Sequence, residues 1–356
     1  MILETLSNAR GVSGNEAAVR DLILEAVREH IDEHQVDALG NLICLRRARA
    51  PKAGGQPTLR ERSLRVMVAA HMDEIGLIVT GINGDGTLAF DKVGGIDDRV
   101  LPSKQVLVGD GAVPGVIGFP PIHLIPRSER DKAPNMSQAV IDIGAADKSA
   151  AEALVKKGDY VSFQATYQVL DEGRLRTVKG KAFDDRAGCA VLVELLQGDY
   201  PVDLYGVFTA QEEVGLRGAR VAAYRIAPDL ALALEGTICA DLPKEEGDDT
   251  SPVTELGEGP ALTFMDASFV PDRRLLDLLI HTARQEGIPY QFKQAVSGGT
   301  DSGAIHLARE GVPSATIAVP VRYIHAPVSL LSLNDFDHTV QLVRAALIAL
   351  QGGMPS

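Results

Sequence analysis

The sequence predicts an α/β domain that is interrupted by an all-β insertion. Apolar runs of strand length alternate with amphipathic helical segments at both ends of the chain, as in layered α/β folds. The middle of the chain differs, because ten glycines fall between Gly76 and Gly118 and short apolar runs are separated by turn signals. The length of 356 residues also exceeds the usual size of one domain, so two domains are expected.

The N-terminal part, residues 1–73, is predicted to begin the α/β domain. The segment SGNEAAVRDLILEAVREH (13–30) has apolar residues at helical spacing, and Ser13 and Glu16 fit a capping box. The run LRVMVAA (64–70) is continuously apolar, which is typical of a buried parallel strand. Between them, ARAPKAGGQPTLRERS (48–63) is charged and contains Gly and Pro, so a loop is expected.

Residues 74–176 are predicted to form the insertion. Its candidate strands are the short runs IGLIVTGI, GTLAFDKV, KQVLVG, AVPGVIG and DYVSFQATYQVL. The stretch RSERDKAPNMSQ (127–138) between them is polar and is expected to be a mobile loop.

Residues 177–356 return to alternating strands and helices. The predicted strands are DLYGVFTA, DLALALE and PSATIAV, and the predicted helices are DDRAGCAVLVELLQ, LRGARVAAYRI, DRRLLDLLIHTARQEG and NDFDHTVQLVRAALIAL. Gly287 ends the third of these helices, as glycine commonly does. The two α/β parts therefore read as one domain with the insertion between them.

Composition and charge exclude several classes of partner. The formal net charge of −13 disfavours nucleic acid as a ligand. No apolar run reaches the length of a membrane span, and the N-terminus lacks the pattern of a signal peptide. Three scattered cysteines, Cys44, Cys189 and Cys239, fit a reducing cytoplasm better than a disulfide framework.

Polar residues follow the predicted apolar strands. His71 follows VMVAA, the pair Glu212–Glu213 follows YGVFTA, Glu235 follows LALAL, and His325 comes shortly after ATIAV. The carboxyl ends of parallel strands share one rim, where ligands bind in α/β sheets. Two histidines and several carboxylates on that rim are suitable ligands for two divalent ions of the zinc or cobalt class.

Each of these signals has a structural alternative. A histidine at a strand end more often satisfies local hydrogen bonds than binds a metal. Tandem glutamates usually lie on a solvated face, and the pair Asp184–Asp185 before a helix fits an N-cap. The coincidence of all of them at strand ends favours the metal site.

Six blocks together resemble one family. They are AHMDEIGLIV, KAFDDRAGCAV, QEEVGLRGA, LEGTICAD, GGTDSGAIHLAREGVP and RYIHAPVSL. In this order they are similar to the glutamyl/deblocking aminopeptidases, the tetrahedral (TET) cytosolic metallopeptidases with two co-catalytic ions. The resemblance covers nearly the whole chain. It implies a mixed-sheet α/β/α metallopeptidase domain with an inserted PDZ-like β-barrel.

The resemblance also implies roles for individual residues. The metal ligands would be His71, Asp184 as the bridging carboxylate, Glu213, Glu235 and His325. Glu212 would be the general base, and Asp73 would orient a ligating imidazole. A cis peptide bond is expected between Asp184 and Asp185. Many relatives have Asp where this chain has Glu235, which leaves the metal preference open.

Substrate contacts are predicted near the C-terminal rim. The candidates are Gly298, Gly299, Thr300, Asp301, Arg322 and Tyr323. The loop SGGTDSG (297–303) could present backbone groups to a peptide, and its alternative interpretation is a tight turn between a strand and a helix.

The function that the resemblance implies is removal of N-terminal residues from short peptides with a free amine. Two divalent ions per subunit, zinc or cobalt with manganese as a further option, would polarise the first peptide bond and acidify a water whose proton Glu212 takes. The barrel would act as an oligomerisation domain in a tetrahedral dodecamer. The alternatives are an amidohydrolase of small acylated amino acids and an endoglucanase, and the lack of tryptophan disfavours the latter. A non-enzymatic scaffold would not need Glu212 and both histidines.

Overall fold

The computed structural model describes residues 1–49, 63–130, 132, 136–243 and 253–354. Most of the predicted loop 48–63 lies outside these ranges, as does part of the predicted mobile loop 127–138. The described ends of the latter segment include two 3-10 helices, Arg127–Glu129 and Met136–Gln138.

The helices of the described residues run in chain order as α1 (Ile2–Asn8), α2 (Ala17–Val27), α3 (Lys148–Glu152), α4 (Phe183–Leu196), α5 (Arg217–Ile226), α6 (Arg273–Glu286), α7 (Ser302–Ile305) and α8 (Leu333–Ala349). The strands are β1 (Glu33–Val36), β2 (Leu42–Arg46), β3 (Arg65–His71), β4 (Gly76–Ile82), β5 (Leu88–Val93), β6 (Gln105–Val108), β7 (Val113–Gly118), β8 (Val140–Asp142), β9 (Tyr160–Phe163), β10 (Gln168–Val169), β11 (Thr177–Gly180), β12 (Asp203–Thr209), β13 (Leu230–Cys239), β14 (Ala261–Leu262), β15 (Gln291–Phe292), β16 (Ser314–Arg322) and β17 (Ser329–Ser332).

The larger sheet is mixed, with a parallel centre. Its strand order is β1-β2-β12-β3-β13-β16-β17-β11-β10, and β14 and β15 extend it beside β16. The neighbours β12, β3, β13 and β16 run parallel, whereas the pairs toward both edges are antiparallel. The carboxyl ends of the four parallel strands therefore point to one rim, as the sequence predicts.

Helices cover both faces of this sheet. Side chains alternate between the faces of a strand, and in β3 Val66 and Val68 pack with α1, α2, α4, α6 and α8. Met67 and Ala69 of the same strand pack with α5 and α7 on the other face. This α/β/α arrangement confirms the predicted fold class of the larger domain.

The insertion contains a closed antiparallel barrel with its own core. The strand order is β4-β5-β8-β7-β6-β9, which closes because β4 pairs with β9. Leu77, Val106, Ile141 and Val161 are among its fully buried core residues. The barrel strands extend from Gly76 to Phe163, whereas β10, which also falls within residues 74–176, pairs with β11 of the larger sheet.

The predicted capping box at the start of α2 is wrong. Glu16 is the N-cap residue and makes no side-chain cap hydrogen bond. Instead, its carboxylate accepts from the backbone N–H groups of Gly14 and Gln211, and the Ser13 hydroxyl donates to Asp73 at 2.6 Å. These long-range partners, which are invisible in the local sequence, tie the start of α2 to the loop after β12.

Two further features concern the chain as a whole. Cys44, Cys189 and Cys239 are buried free thiols. Within the described ranges, every helix is too short or too polar to cross a bilayer.

Candidate metal centre and active-site cavity

The two histidines and four carboxylates of the predicted site lie on one rim of the larger sheet. His71 is the last residue of β3, and Glu212 and Glu213 lie in the loop between β12 and α5. The prediction that Glu235 ends its strand is wrong, because β13 continues beside β16 as far as the pair Cys239–Arg322. His325 lies in the turn after β16, and Asp184 lies at the start of α4.

Asp184 stands between two groups of potential ligand atoms. One group consists of His71, Asp184 and Glu235, and the other of Asp184, Glu213 and His325. Within each group the ligand atoms lie within 4.8 Å of one another. Asp184 Oδ1 is 3.4 Å from His71 Nε2, and its Oδ2 is 3.3 Å from His325 Nε2. One carboxylate thus turns a different oxygen to each group, as a bridging ligand would.

Both histidine rings are oriented by backbone carbonyl groups. The carbonyl of Asp73 lies 3.1 Å from His71 Nδ1, and that of Gly95 lies 2.9 Å from His325 Nδ1. An Nδ1–H donated to a carbonyl leaves the Nε2 lone pair free, which is the arrangement of metal-ligating histidines. Gly95 follows β5, so the inserted segment itself orients one of the two histidines.

The adjacent glutamates diverge toward different histidines. Glu212 Oε2 lies 3.9 Å from His71 Nε2, whereas Glu213 Oε2 lies 3.6 Å from His325 Nε2. Of the two, only Glu213 belongs to one of the ligand groups found among the described residues. The two glutamates therefore lie beside two different histidines of the site rather than on one solvated face.

Asp73 fixes the backbone that carries this pair. Its Oδ1 accepts from the Glu212 N–H at 3.0 Å, and its Oδ2 accepts from the Glu213 N–H at 3.1 Å and from the Ser13 hydroxyl at 2.6 Å. The side chain is fully buried. Although burial favours the neutral acid, the interaction with His71 lowers the pKa of Asp73 below its ordinary value. Asp73 thus connects His71, Glu212 and Glu213.

The two consecutive aspartates at the start of α4 also have separate roles. The peptide bond between Asp184 and Asp185 is cis, as the resemblance implies. Asp185 turns away from the ligand groups and accepts from the N–H groups of His71 and Gly188. Asp184 instead accepts from the Gly236 N–H at 3.2 Å, and a methyl group on Gly236 would come within 3.0 Å of Asp184 Cα. Glycine is therefore needed beside Glu235 for this close approach.

Unbalanced negative charge dominates the electrostatics of the site. Burial, together with repulsion from neighbouring carboxylates, raises the pKa values of Glu212 and Glu235 well above the ordinary glutamate value and that of Glu213 to about 7. The hydrogen bond with Asp184 and the charge of Glu213 raise the pKa of His325 to about 9. Burial and neighbouring negative charge therefore favour the protonated form of each of these groups.

A pair of divalent cations fits this donor set. The four carboxylates of Asp184, Glu212, Glu213 and Glu235 carry four negative charges when ionised, which two dications would balance. Oxygen and imidazole nitrogen ligands suit zinc, cobalt and manganese. Because ligands bind a metal ion in their deprotonated form, binding of cations at these groups would release protons.

The residues of both ligand groups line a cavity of about 540 Å³. Of the residues predicted to contact substrate, Gly298, Gly299 and Thr300 line this cavity. Asp301 is buried beside it, where its N–H donates to Glu235 Oε1 at 2.9 Å. Arg322 is paired with Asp241 and Tyr323 is about half-exposed, and neither is among the described lining residues. Contact of the last three with substrate stays a prediction.

Sequence reasoning missed three residues that line the cavity, Thr263, Lys293 and Thr316. Lys293 follows the short strand β15, in a segment whose letters carry no periodic signal. The one available sign was a lysine four residues before the SGG turn, and such a lysine is ordinarily solvated.

The chain resembles known aminopeptidases over nearly its full length. Residues 55–342 match the model of the M42 glutamyl aminopeptidase family. The lysyl aminopeptidase of Pyrococcus furiosus is 32% identical, over 98% of this chain and 97% of its own. The glutamyl aminopeptidase of Lactococcus lactis subsp. cremoris is also 32% identical, over 98% of this chain and 95% of its own.

Solved structures agree with these relatives. A TET aminopeptidase from the marine sediment archaeon Thaumarchaeota archaeon SCGC AB-539-E09 has a TM-score of 0.88 at 37% identity, over 98% of this chain and 96% of that one. PhTET1-12s, a dodecamer in its crystal, has a TM-score of 0.83 at 33% identity, over 98% of each chain. A protein named endoglucanase from Thermotoga maritima has a TM-score of 0.79 at 35% identity, over 98% of this chain and 97% of that one.

The resemblance seen in the six sequence blocks is thereby confirmed. The family model matches most of the chain, and relatives more than 30% identical cover nearly all of it. The chain therefore belongs to the M42 glutamyl aminopeptidase family, whose members are peptide hydrolases that use divalent metal ions.

Proposed function

We propose that the protein is a dinuclear metal-dependent aminopeptidase that removes N-terminal residues from short peptides. One observation carries the proposal: Asp184 turns its two carboxylate oxygens toward two separate groups, each completed by one histidine and one glutamate. His71, Asp184 and Glu235 would hold one ion, and Asp184, Glu213 and His325 the other. Zinc and cobalt are the proposed ions, with manganese as the next candidate.

Two ions in these positions would supply Lewis-acid chemistry, polarising the carbonyl of the first peptide bond and lowering the pKa of the attacking water. Glu212 acts as the general base: its side chain reaches the site beside His71 but belongs to neither ligand group. It takes a proton from the water and then delivers it to the nitrogen of the departing peptide.

The remaining residues position this machinery. Asp73 holds the backbone of Glu212 and Glu213 and supports the orientation of His71. Gly298, Gly299 and Thr300 line the cavity and are proposed to contact the peptide backbone, and Asp301, Arg322 and Tyr323 are proposed as further substrate contacts. The acidic end of the cavity favours the free α-ammonium group of a substrate over a blocked amine.

Two other reactions share parts of this site. An amidohydrolase of small acylated amino acids would use the same metal chemistry but would accept substrates without a free amine. The related structure named endoglucanase makes carbohydrate hydrolysis the second alternative. Sugar-binding sites commonly stack rings on the faces of Phe, Tyr or Trp, and none of these side chains lines the described part of this cavity. This favours a peptide substrate.

A homo-oligomeric particle, built through the inserted segment 74–176, is proposed as the working form. The support is the dodecameric relative PhTET1-12s together with exposed apolar side chains on the insertion, among them Ile122 at 64% and Leu124 at 72% exposure. Twelve subunits of 37.9 kDa would form a particle of about 455 kDa. Buried free thiols suit a reducing compartment such as the cytoplasm.

The experiment that tests the reaction compares a free with an N-acetylated peptide of the same sequence. We expect hydrolysis of the free peptide to release its first residue, and hydrolysis of the blocked one to be slower by about 100-fold or more, because the proposed anchoring amine is lost. Equal rates on both would support amidohydrolysis or endopeptidase activity instead. Light scattering of the purified protein tests the assembly, and a fully active monomer would rule out the proposed particle.

A further inference from the structure

The two ligand groups differ in what orients their side chains. In the His71 site, made of His71, Asp184 and Glu235, the histidine ends a central strand of the larger sheet and its side chain is 1% exposed. Its ring is oriented by the Asp73 carbonyl, and Glu235 accepts from the Asp301 N–H. All of these residues belong to the larger domain. The His71 site is therefore built and oriented within that domain.

The second group, Asp184, Glu213 and His325, is the His325 site, and it depends on the inserted segment. His325 lies in the turn after β16 in a left-handed backbone conformation, with a φ of 56°, and its side chain is 41% exposed. Neither a strand nor close packing therefore holds its ring in place. Among the described residues, the hydrogen-bond partner of its Nδ1 is the carbonyl of Gly95, in the turn after β5. The direction of the Nε2 lone pair thus follows the position of that turn.

Gly94, in the same turn, packs against the glutamate of the His325 site. Its φ is 85°, a conformation that is strained for any residue with a side chain. A methyl group added here would lie 3.4 Å from Glu213 Cβ and 3.4 Å from Glu213 Oε2. It would also lie 2.9 Å from Ile75 Cγ2, which is too close for two carbon atoms in a packed interior. A side chain at Gly94 would therefore displace the turn from Glu213 and His325 together.

The core of the barrel holds this turn. Ile96, the residue after Gly95, is buried in the barrel core together with Ile75. Lys92 closes the turn, because its Nζ donates to the Ile96 carbonyl at 3.0 Å and pairs with Asp98 at 2.7 Å. A segment that is anchored in a close-packed core has little freedom to shift. The barrel therefore fixes where the Gly95 carbonyl meets His325.

We propose that turn 94–96 of the insertion is a positioning element for the His325 site, and that the His71 site does not depend on it. The inference rests on the proposed pair of ions, and it adds that the insertion completes one of the two sites. Loss of the groups that orient a ligand lowers metal affinity by about 10- to 100-fold. A displaced turn should therefore weaken the binding of one ion and leave the other unchanged.

The test titrates cobalt into variants in which one site is already weakened, with a chelating indicator as competitor. Glu235→Gln removes a ligand of the His71 site, so the tighter ion then reports on the His325 site, and Glu213→Gln gives the converse. Adding Gly94→Ala to the Glu235→Gln protein should raise the dissociation constant of the tighter ion by at least about 10-fold. Adding it to the Glu213→Gln protein should change that constant by less than about threefold, as expected of independent positions.

Gly158→Ala is the matched control. Gly158 lies in the same insertion with a φ of 87°, and no heavy atom of the described residues lies within 4 Å of a methyl group added there. This substitution brings the same backbone strain without contact to a ligand, so both dissociation constants should stay unchanged. If circular dichroism shows that Gly94→Ala does not fold, Lys92→Met replaces it as the milder variant. Its control is Lys148→Met, at an exposed lysine of the insertion.

The outcomes separate this role from folding and from the two-ion proposal. A change that is equal at both sites, absent from both or confined to the His71 site would overturn the positioning role, for Gly94→Ala and for Lys92→Met alike. A general loss of structure would weaken both ions, so selective loss at the His325 site cannot arise from it. If the native protein binds fewer than two cobalt ions per subunit, the two-ion proposal itself fails.

Discussion

Substitution of Asp73 by asparagine should weaken catalysis by more than the loss of the negative charge of Asp73 alone would cause. The two oxygens of Asp73 accept three hydrogen bonds, from the N–H groups of Glu212 and Glu213 and from the Ser13 hydroxyl. Asparagine keeps one oxygen and replaces the other by an amino group, which cannot accept. In either amide orientation, one buried backbone N–H of the pair faces a donor instead of an acceptor.

The expected cost follows from these contacts. A hydrogen bond to a charged acceptor contributes about 1.5 to 3 kcal/mol, and a buried donor without a partner adds a desolvation penalty of similar size. We therefore expect the native conformation of the loop that carries Glu212 and Glu213 to be destabilised by about 2 to 3 kcal/mol. If that loss appears fully in the transition state, kcat/KM falls by about 30- to 150-fold.

The assay measures kcat and KM on a free-amine peptide, with metal content determined on the same samples. Asp73→Asn should lower kcat more than it raises KM. The substitution displaces the general base and a metal ligand, whereas the residues that line the substrate cavity stay in place. Ser13→Ala is the matched control, since it removes one bond from the same carboxylate and leaves both backbone N–H groups satisfied, and its loss should stay below about 10-fold. An Asp73→Asn protein with kcat/KM within threefold of the native value would refute the positioning role.

Further predictions concern the base, the buried charges and pH. Glu212→Gln should retain both ions and lower kcat by at least about 100-fold. Glu213→Gln should instead lower the affinity for one ion. Metal analysis that shows the reverse would exchange the roles of the two glutamates. Glu74→Gln should lower the free energy of unfolding, measured by urea titration, by about 3 to 5 kcal/mol. The reason is that Lys181 loses the buried carboxylate that lies 2.7 Å from its Nζ. A change below about 1 kcal/mol would contradict this. Burial raises the pKa of Asp335 to about 6, so the folded state binds this proton more tightly than the unfolded state does. The protonated Asp335 therefore contributes stability that is present below about pH 4 and is lost as pH rises through about 6. Over this window the free energy of unfolding of the native protein should fall by up to about 3 kcal/mol relative to that of Asp335→Asn. A difference between the two proteins that does not change with pH would contradict this.

The sequence predicted the strands and ligand types of the site because both are encoded locally. Apolar runs such as VMVAA and YGVFTA identify buried parallel strands, and such strands bring their carboxyl ends to one rim without any knowledge of the tertiary structure. His71, Glu212 and Glu213 could therefore be grouped from letters alone. The separate roles of Glu212 and Glu213 were implied by the family resemblance, and their divergence toward His71 and His325 supports those roles.

Other features were beyond local reasoning because distant partners determine them. Ser13 and Glu16 look like a capping box, but Asp73 and the loop after β12 compete for the same side chains and bind them instead. Glu235 looks like the end of a strand, but pairing with β16 extends β13 past it. The position of Lys293 beside the cavity follows from the pairing of β14 with β15 and β16, which no sequence pattern near Lys293 reveals.

The proposed reaction requires both two divalent ions and a free substrate amine. The most direct measurement determines metal content and peptide hydrolysis together, on protein stripped with a chelator and then reloaded with zinc or cobalt. The two-ion site predicts no hydrolysis in the stripped protein, recovery that reaches its maximum at two ions per subunit, and cleavage of the free but not the N-acetylated peptide. Full activity in a sample verified as metal-free, or saturation of activity at one ion per subunit, would contradict it.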